Sequence, residues 1–220
     1  MSRVLEVKDL KLVLGSRTIL DIPAFSVNRE ESVSIMGPNG AGKSSLLLIL
    51  AALQSPTRGT VLYFGREIRE QSLLDVRRRM AMVFQKPMLL SGTVMENVET
   101  GLKFRNLGRK ERERLVRPWL EKLRIDHLAR QRARSLSGGE AQRVALAQAL
   151  VLEPEVIFLD EPFANLDKGI RQELINEIGT ILRAQRITTV MITHSRSEAV
   201  AISDKIYLLE DGEIVGIEEL

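Results

Sequence analysis

Cysteine is missing from this sequence altogether. No disulfide framework and no thiolate metal site can form, and the composition fits a reducing compartment. Long apolar runs are missing as well: the longest, residues 46–53, falls far short of the roughly 20 residues that span a bilayer. The first ten residues alternate charged and apolar types, without the continuous apolar stretch of a secretory leader. Work at a membrane would need another chain to hold this one there. An excess of one charge is also lacking, since 32 basic residues face 29 acidic ones for a net charge of +3. That balance predicts neither a strong nucleic-acid binder nor an acidic tail, and the arginine clusters at 77–79, 109–117 and 130–134 read as solvated helix faces. Internal repeats and low-complexity linkers are absent.

What is present is ordinary for a globular protein: 44% apolar and 28% charged residues in a chain of 220. That length allows one large domain or a core with an insertion. Residues 4–7, 10–14 and 19–27 read as strands of an antiparallel meander, broken at Gly15-Ser16 and at Pro23. Residues 32–36 form a further strand and run into a glycine-rich loop, and residues 43–53 read as a buried helix stopped by Ser55-Pro56. Strands are expected at 60–64 and 80–84. From about Thr93 to Ala133 the pattern is helical and charge-laced, with breaks at Gly101, Gly108 and Pro118, as in an inserted subdomain. Beyond Gly138 helix and strand alternate, with strands at 156–159, 188–192 and 205–209, which argues for a parallel sheet wound with helices.

The loop after the 32–36 strand reads Gly37-Pro38-Asn39-Gly40-Ala41-Gly42-Lys43-Ser44, a full match to G-x-x-x-x-G-K-[ST]. Its glycines free the backbone to converge successive N–H groups on an anion, and the next helix points its positive end at the same place. Lys43 supplies a charge to the β- and γ-phosphates, the Ser44 hydroxyl can ligate Mg²⁺, and Ser45 can add a hydrogen bond. The position between a strand and an apolar helix is the context that such a phosphate loop requires. Later, Val156-Ile157-Phe158-Leu159 ends in Asp160-Glu161. Beside a phosphate loop, Asp160 is placed to hold hydrated Mg²⁺ and Glu161 to act as general base on water.

Leu136-Ser137-Gly138-Gly139-Glu140 is a second point where small residues open a helix. Two anion-binding helix starts in one chain are redundant unless they grip one nucleotide from opposite sides. Here the chain resembles the ABC ATPases, whose LSGGQ-type signature stands as LSGGE. Gln85, in Val83-Phe84-Gln85-Lys86-Pro87, then matches the family's Q-loop glutamine, which senses Mg²⁺ and the reacting water. Asn165-Leu166-Asp167 matches the D-loop, and His194 the switch histidine that contacts the γ-phosphate.

The resemblance implies an α/β fold with a P-loop NTPase (RecA-like) core and a mostly parallel sheet. An N-terminal antiparallel β subdomain and an inserted α-helical subdomain would complete it, with residues 1–86 and 136–220 as core and about 87–135 as the helical part. It also implies a head-to-tail dimer holding ATP between Lys43 of one subunit and Ser137 and Gly139 of the other. Three departures stand out. Leu14 occupies the position from which an aromatic ring commonly covers adenine, so base selectivity weaker than usual is expected. Glu30-Glu31 replaces a common Gly-Glu pair, and Ala147-Gln148-Ala149-Leu150 lacks a frequent arginine.

Among ABC proteins the features fit the ATPase subunit of an importer, peripheral on the cytoplasmic face of the membrane. These features are no fused span, a short helical insertion, and Glu198-Ala199 after the histidine. The stretch from Gln85 to Gly101 would receive a helix of a transmembrane permease subunit, with Met88, Leu89 and Leu90 either contacting it or lying in the subdomain core. Residues 87–107 look similar to importers of small anions such as molybdate, tungstate or phosphate. The end of the sequence soon after Gly212 leads to the expectation of no regulatory C-terminal domain. The alternatives are the ATPase of an exporter or lipoprotein-release system, and a soluble ABC protein acting on nucleic acid or ribosomes. The gap from Gln85 to Ser137 is too short for the long coiled coil of the DNA-repair type, and ribosomal types usually join two ATPase domains, so no nucleic-acid partner is expected.

Overall fold

The computed structural model describes residues 2–67 and 73–220; Met1 and residues 68–72, which belong to the expected core segment 1–86, lie outside the described residues. Two long strands open the chain, β1 (Arg3–Leu14) and β2 (Arg17–Asn28), paired antiparallel. The two short strands expected within β1 are one. Asp9, at φ 49°, lies in an irregularity of the β1 ladder between Lys8 and Lys11 that bends the strand without ending it. Pro23 does not break β2 either. It lies in an edge strand, where a missing N–H interrupts no ladder. With β4 (Arg58–Tyr63) and β5 (Arg66–Glu67) these strands form a sheet of order β2-β1-β4-β5.

The second sheet contains β3 (Ser32–Met36), β6 (Met80–Val83), β7 (Val156–Asp160), β8 (Thr188–Ile192), β9 (Lys205–Glu210) and β10 (Glu213–Glu219), in the order β10-β9-β3-β8-β7-β6. All pairings are parallel except β10 on β9. Strands β3, β7 and β8 are buried almost throughout, as in a sheet covered on both faces. Alternate side chains of β7 serve the two faces. Val156 and Phe158 join the apolar cluster of the first sheet and helix α1 (Lys43–Leu50), whereas Ile157 and Leu159 join the cluster of the larger helices. Each such side chain contributes roughly 1.5–3 kcal/mol on burial.

Helix α1 ends before the expected Leu53 because Ala52 turns the chain at φ 57°. A short α2 (Leu73–Arg78), not read from the sequence, precedes β6. The helical stretch contains α3 (Val94–Val98), α4 (Thr100–Phe104) and α5 (Arg109–Lys122), and two expected breaks fall inside helices. Gly101 lies inside α4 without ending it, and glycine stands there because α4 packs closely on Leu152, whose Cδ2 would lie 2.7 Å from a Cβ at that position. Pro118 sits inside α5 on an exposed face, and Arg114, whose carbonyl loses its partner there, is exposed too. Val94, Val116 and Leu120 share one cluster with Ile157 and Leu159, so the helical stretch and the parallel sheet have a common core. Helices α6 (Gly138–Leu150), α7 (Lys168–Ala184) and α8 (Arg196–Ile202) complete the chain.

Candidate nucleotide site

Parallel pairing brings the carboxyl ends of β3, β6, β7 and β8 to one edge of the sheet, the edge where open α/β folds bind ligands. The register sets Ile35, Ile192 and Asp160 side by side. The phosphate loop, Glu161, His194 and Gln85 therefore all follow from neighbouring strand ends.

The loop is shaped by contacts that only glycine permits. A Cβ on Gly37 would lie 1.9 Å from the Leu209 carbonyl oxygen of β9. Gly42, the residue before α1, holds φ at 97°, and a Cβ there would meet Leu20 and the Ile19 carbonyl within 2.8 Å. From behind, the N–H of Gly212 donates to the Ala41 carbonyl at 3.1 Å, tying the loop to the β9–β10 turn. Lys43 is buried, and its ammonium donates to the carbonyls of Gly37 at 2.9 Å and Pro38 at 2.8 Å. Asn39, Gly40, Gly42, Lys43, Ser44 and Ser45 line a cleft of about 270 Å³ together with Ile19 and Glu161. Ile19 joins the cleft without any motif to mark it, and Leu14 is half-exposed and does not line it.

Asp160 accepts a hydrogen bond from the Ser44 hydroxyl. Burial pushes its carboxyl above the ordinary aspartate range and the Glu161 charge adds to this, whereas Ser44 and the Lys43 charge pull it back. Glu161 sits at φ 43°, and its N–H donates to the Ile192 carbonyl at 3.0 Å. A non-glycine residue held there is strained, a feature that clusters at functional sites. Its carboxylate oxygen accepts from Gln85 Nε2 at 3.2 Å and lies 3.6 Å from His194 Nδ1. Asn165 of the expected D-loop donates to the Gln85 carbonyl at 3.4 Å, and Asp167 next to it is exposed at the start of α7. The Ser44 hydroxyl on Asp160, with the Gln85 amide beside them on Glu161, offers oxygen donors of the kind that suit a hard divalent cation keeping waters and phosphates as its other ligands.

Ser137 and Glu140 form a capping box at the start of α6. The Ser137 hydroxyl and N–H each donate to Glu140 Oε2 at 2.7 Å, and the Glu140 N–H donates back to the hydroxyl at 3.4 Å. The Ser137 hydrogen bonds hold the Glu140 carboxyl below the usual range. The pattern Ser137-x-x-Glu140 is the sequence signal of such a box, by which this helix start carries its own anion. Gly138 and Gly139 follow in its first turn, and none of these four residues lines the cleft around Lys43. Of the apolar trio, Leu89 packs against the core, whereas Met88 and Leu90 are exposed at 70% and 56%. Where the family's arginine is lacking, Gln148 Nε2 donates to the Asn97 carbonyl at 3.1 Å.

Residues 20–164 match the family model described as ABC transporter, and the chain belongs to this family, carrying its ATP-binding domain. Over 198 residues it is 40% identical to a molybdate/tungstate import ATP-binding protein, WtpC, of Pyrococcus horikoshii, covering 90% of this chain and 57% of that protein. The chain thus spans little more than half the length of this relative. A tungstate uptake system ATP-binding protein, TupC, of Peptoclostridium acidaminophilum is 37% identical over 208 residues, covering 94% of this chain and 95% of that one. The fold superposes with TM-score 0.89 on a dimeric structure of the ATP-binding cassette MJ0796 in a post-hydrolysis state with ADP and Pi. That structure is 30% identical and covered to 98% on both sides.

Proposed function

We propose that this chain is the ATP-binding and ATP-hydrolysing subunit of an ABC importer, working as a head-to-tail dimer with separate membrane subunits. The convergence of Lys43, Ser44, Asp160, Gln85, Glu161 and His194 at one sheet edge carries this reading. Lys43 and the N–H groups of residues 37–45 bind and orient the phosphates. Ser44, Asp160 and Gln85 would hold Mg²⁺, which would supply positive charge to the phosphate oxygens. Glu161, oriented by Gln85, takes the proton from the attacking water, and His194 contacts the γ-phosphate. The second half of each site, Ser137, Gly138, Gly139 and Glu140, comes from the partner copy or a related subunit, with Asp167 at the dimer seam. The dimeric relative supports this arrangement.

In this reading residues 1–86 and 136–220 are the catalytic core, and residues 87–135 the helical subdomain. The permease docks on the stretch from Gln85 to Gly101. There, Met88 joins Met82, Phe84, Ala145 and Leu152 around an apolar groove of about 310 Å³. No described helix is long and apolar enough to cross a membrane, so attachment to the cytoplasmic face runs through those subunits. The two oxyanion-system relatives favour molybdate or tungstate as cargo.

The decisive variant is Glu161→Gln. It should bind ATP, hydrolyse it at least about a hundredfold more slowly, and elute as an ATP-dependent dimer in size-exclusion chromatography. Hydrolysis at the wild-type rate would remove Glu161 from the role of base.

A further inference from the structure

Thr193 and Glu198 have no part in the chemistry described above, yet both are buried, at 1% and 3% exposure. The Thr193 hydroxyl donates to Glu198 Oε2 at 2.5 Å and accepts from the Ser195 N–H at 3.0 Å. The Thr193 N–H donates to the Ile35 carbonyl at 3.4 Å, which carries the β8 ladder onto β3 one residue past the strand. Ser195 in turn caps α8, its hydroxyl accepting from the Glu198 N–H at 3.5 Å.

The residues on either side of His194 are therefore tied to each other through a single hydroxyl, and a carboxylate orients that hydroxyl. A hydroxyl has one proton. Committing it to Glu198 leaves the oxygen lone pairs for Ser195. A charged acceptor makes the first bond strong, and the chain of bonds polarises it further. The His194 ring needs such a mount because 58% of its side chain is exposed, so packing does not fix it. A buried carboxylate is costly in a fold unless it is hydrogen-bonded, and here its bond serves the histidine loop.

We propose that Glu198, acting through the Thr193 hydroxyl, is a positioning residue for His194. This rests on the reading of His194 as the γ-phosphate contact. Thr193→Val removes the hydroxyl and keeps the branched shape, whereas Thr193→Ser keeps the hydroxyl. In the full chain, T193V should lower kcat about tenfold while the ATP dissociation constant stays within about twofold, because the loss falls on the transition state. T193S should recover most of kcat. A double variant with His194→Ala should be no slower than H194A alone, since residues acting as one unit are non-additive.

Wild-type kcat in a T193V protein that melts normally would overturn the inference, and so would losses that multiply in the double variant. If T193V does not fold, the same cycle is run with Glu198→Gln, which keeps an acceptor and drops the charge. A fall in kcat seen only when His194 is present supports the inference, and an equal fall in both backgrounds rejects it. H194A at the wild-type rate would instead refute the reading of His194 itself, and the inference with it.

Discussion

Gln85 and Glu161, 76 residues apart in sequence, meet through a hydrogen bond of 3.2 Å from Nε2 to Oε2. The amide thus holds the candidate base from the side of β6, and the Asn165 amide holds the Gln85 backbone in turn. Gln85→Ala should release the Glu161 carboxylate and lower kcat by about ten- to a hundredfold, with ATP affinity changed far less. Steady-state ATPase assays beside equilibrium binding separate the two effects. An equal loss in both would point to a binding role.

Lys43 donates to its own loop carbonyls at 2.8 and 2.9 Å, and phosphate oxygens offer better acceptors for the same protons. Lys43→Ala should weaken ATP binding by at least about tenfold, since hydrogen bonds to charged groups are worth roughly 1.5–3 kcal/mol. Calorimetric titration reads this directly, and micromolar affinity retained at the wild-type level would remove Lys43 from the phosphate site.

Arg79 grips Glu155 at 2.6 and 2.9 Å while its guanidinium lies 3.3 Å from the Phe64 ring centre. The Arg79 hydrogen bonds hold the Glu155 carboxyl below its ordinary value of 4.5. A carboxyl whose folded pKa is depressed stabilises the fold above its unfolded pKa, and the stabilisation is lost as pH falls through the folded one. Glu155→Gln should therefore cost about 1 kcal/mol near pH 7, after discounting for solvent screening. The gap in melting temperature between variant and parent should close as pH drops below 4.5. A gap independent of pH would mean that packing, not charge, holds this corner.

Met88 lines an apolar groove and is exposed, as is Leu90 two residues on, whereas Leu89 between them is tied to the core. Under the permease-docking reading, Met88→Glu with Leu90→Asp should leave the melting temperature and the ATPase rate of the isolated chain near wild type, because exposed substitutions fall within about 0.5 kcal/mol. Co-purification with the membrane subunits should fail. Unimpaired assembly would move the docking surface elsewhere.

Much of this was legible in advance because the motifs sit at strand ends. The phosphate loop follows β3, Asp160 ends β7 and His194 lies two residues beyond β8, and strand-then-loop is a local pattern. The misreadings were local too. The gap between residues 7 and 10 closes at an irregularity of the ladder, Pro23 resembles a break until an edge position absorbs it, and Gly101 resembles a helix end until its close contact with Leu152 accounts for the glycine. Strand β10 was missed because Val215 and Ile217 stay exposed, so its alternation marks no buried face.

The sequence by itself determined the family, the glycine-rich loop, the carboxylate pair and the order of the motifs. These depend on residue type at fixed short spacing, which the backbone turns into a glycine-shaped loop before a helix and strand-end side chains wherever the strands lie. Only the tertiary structure decided that Gln85, Glu161 and His194 share one carboxylate oxygen, because the order β3-β8-β7-β6 brings distant strand ends together. It also decided that Gly212 backs the glycine-rich loop and that Thr193 ties the two sides of His194. Hydrogen bonds are directional and short, so no reading of composition or period could supply them.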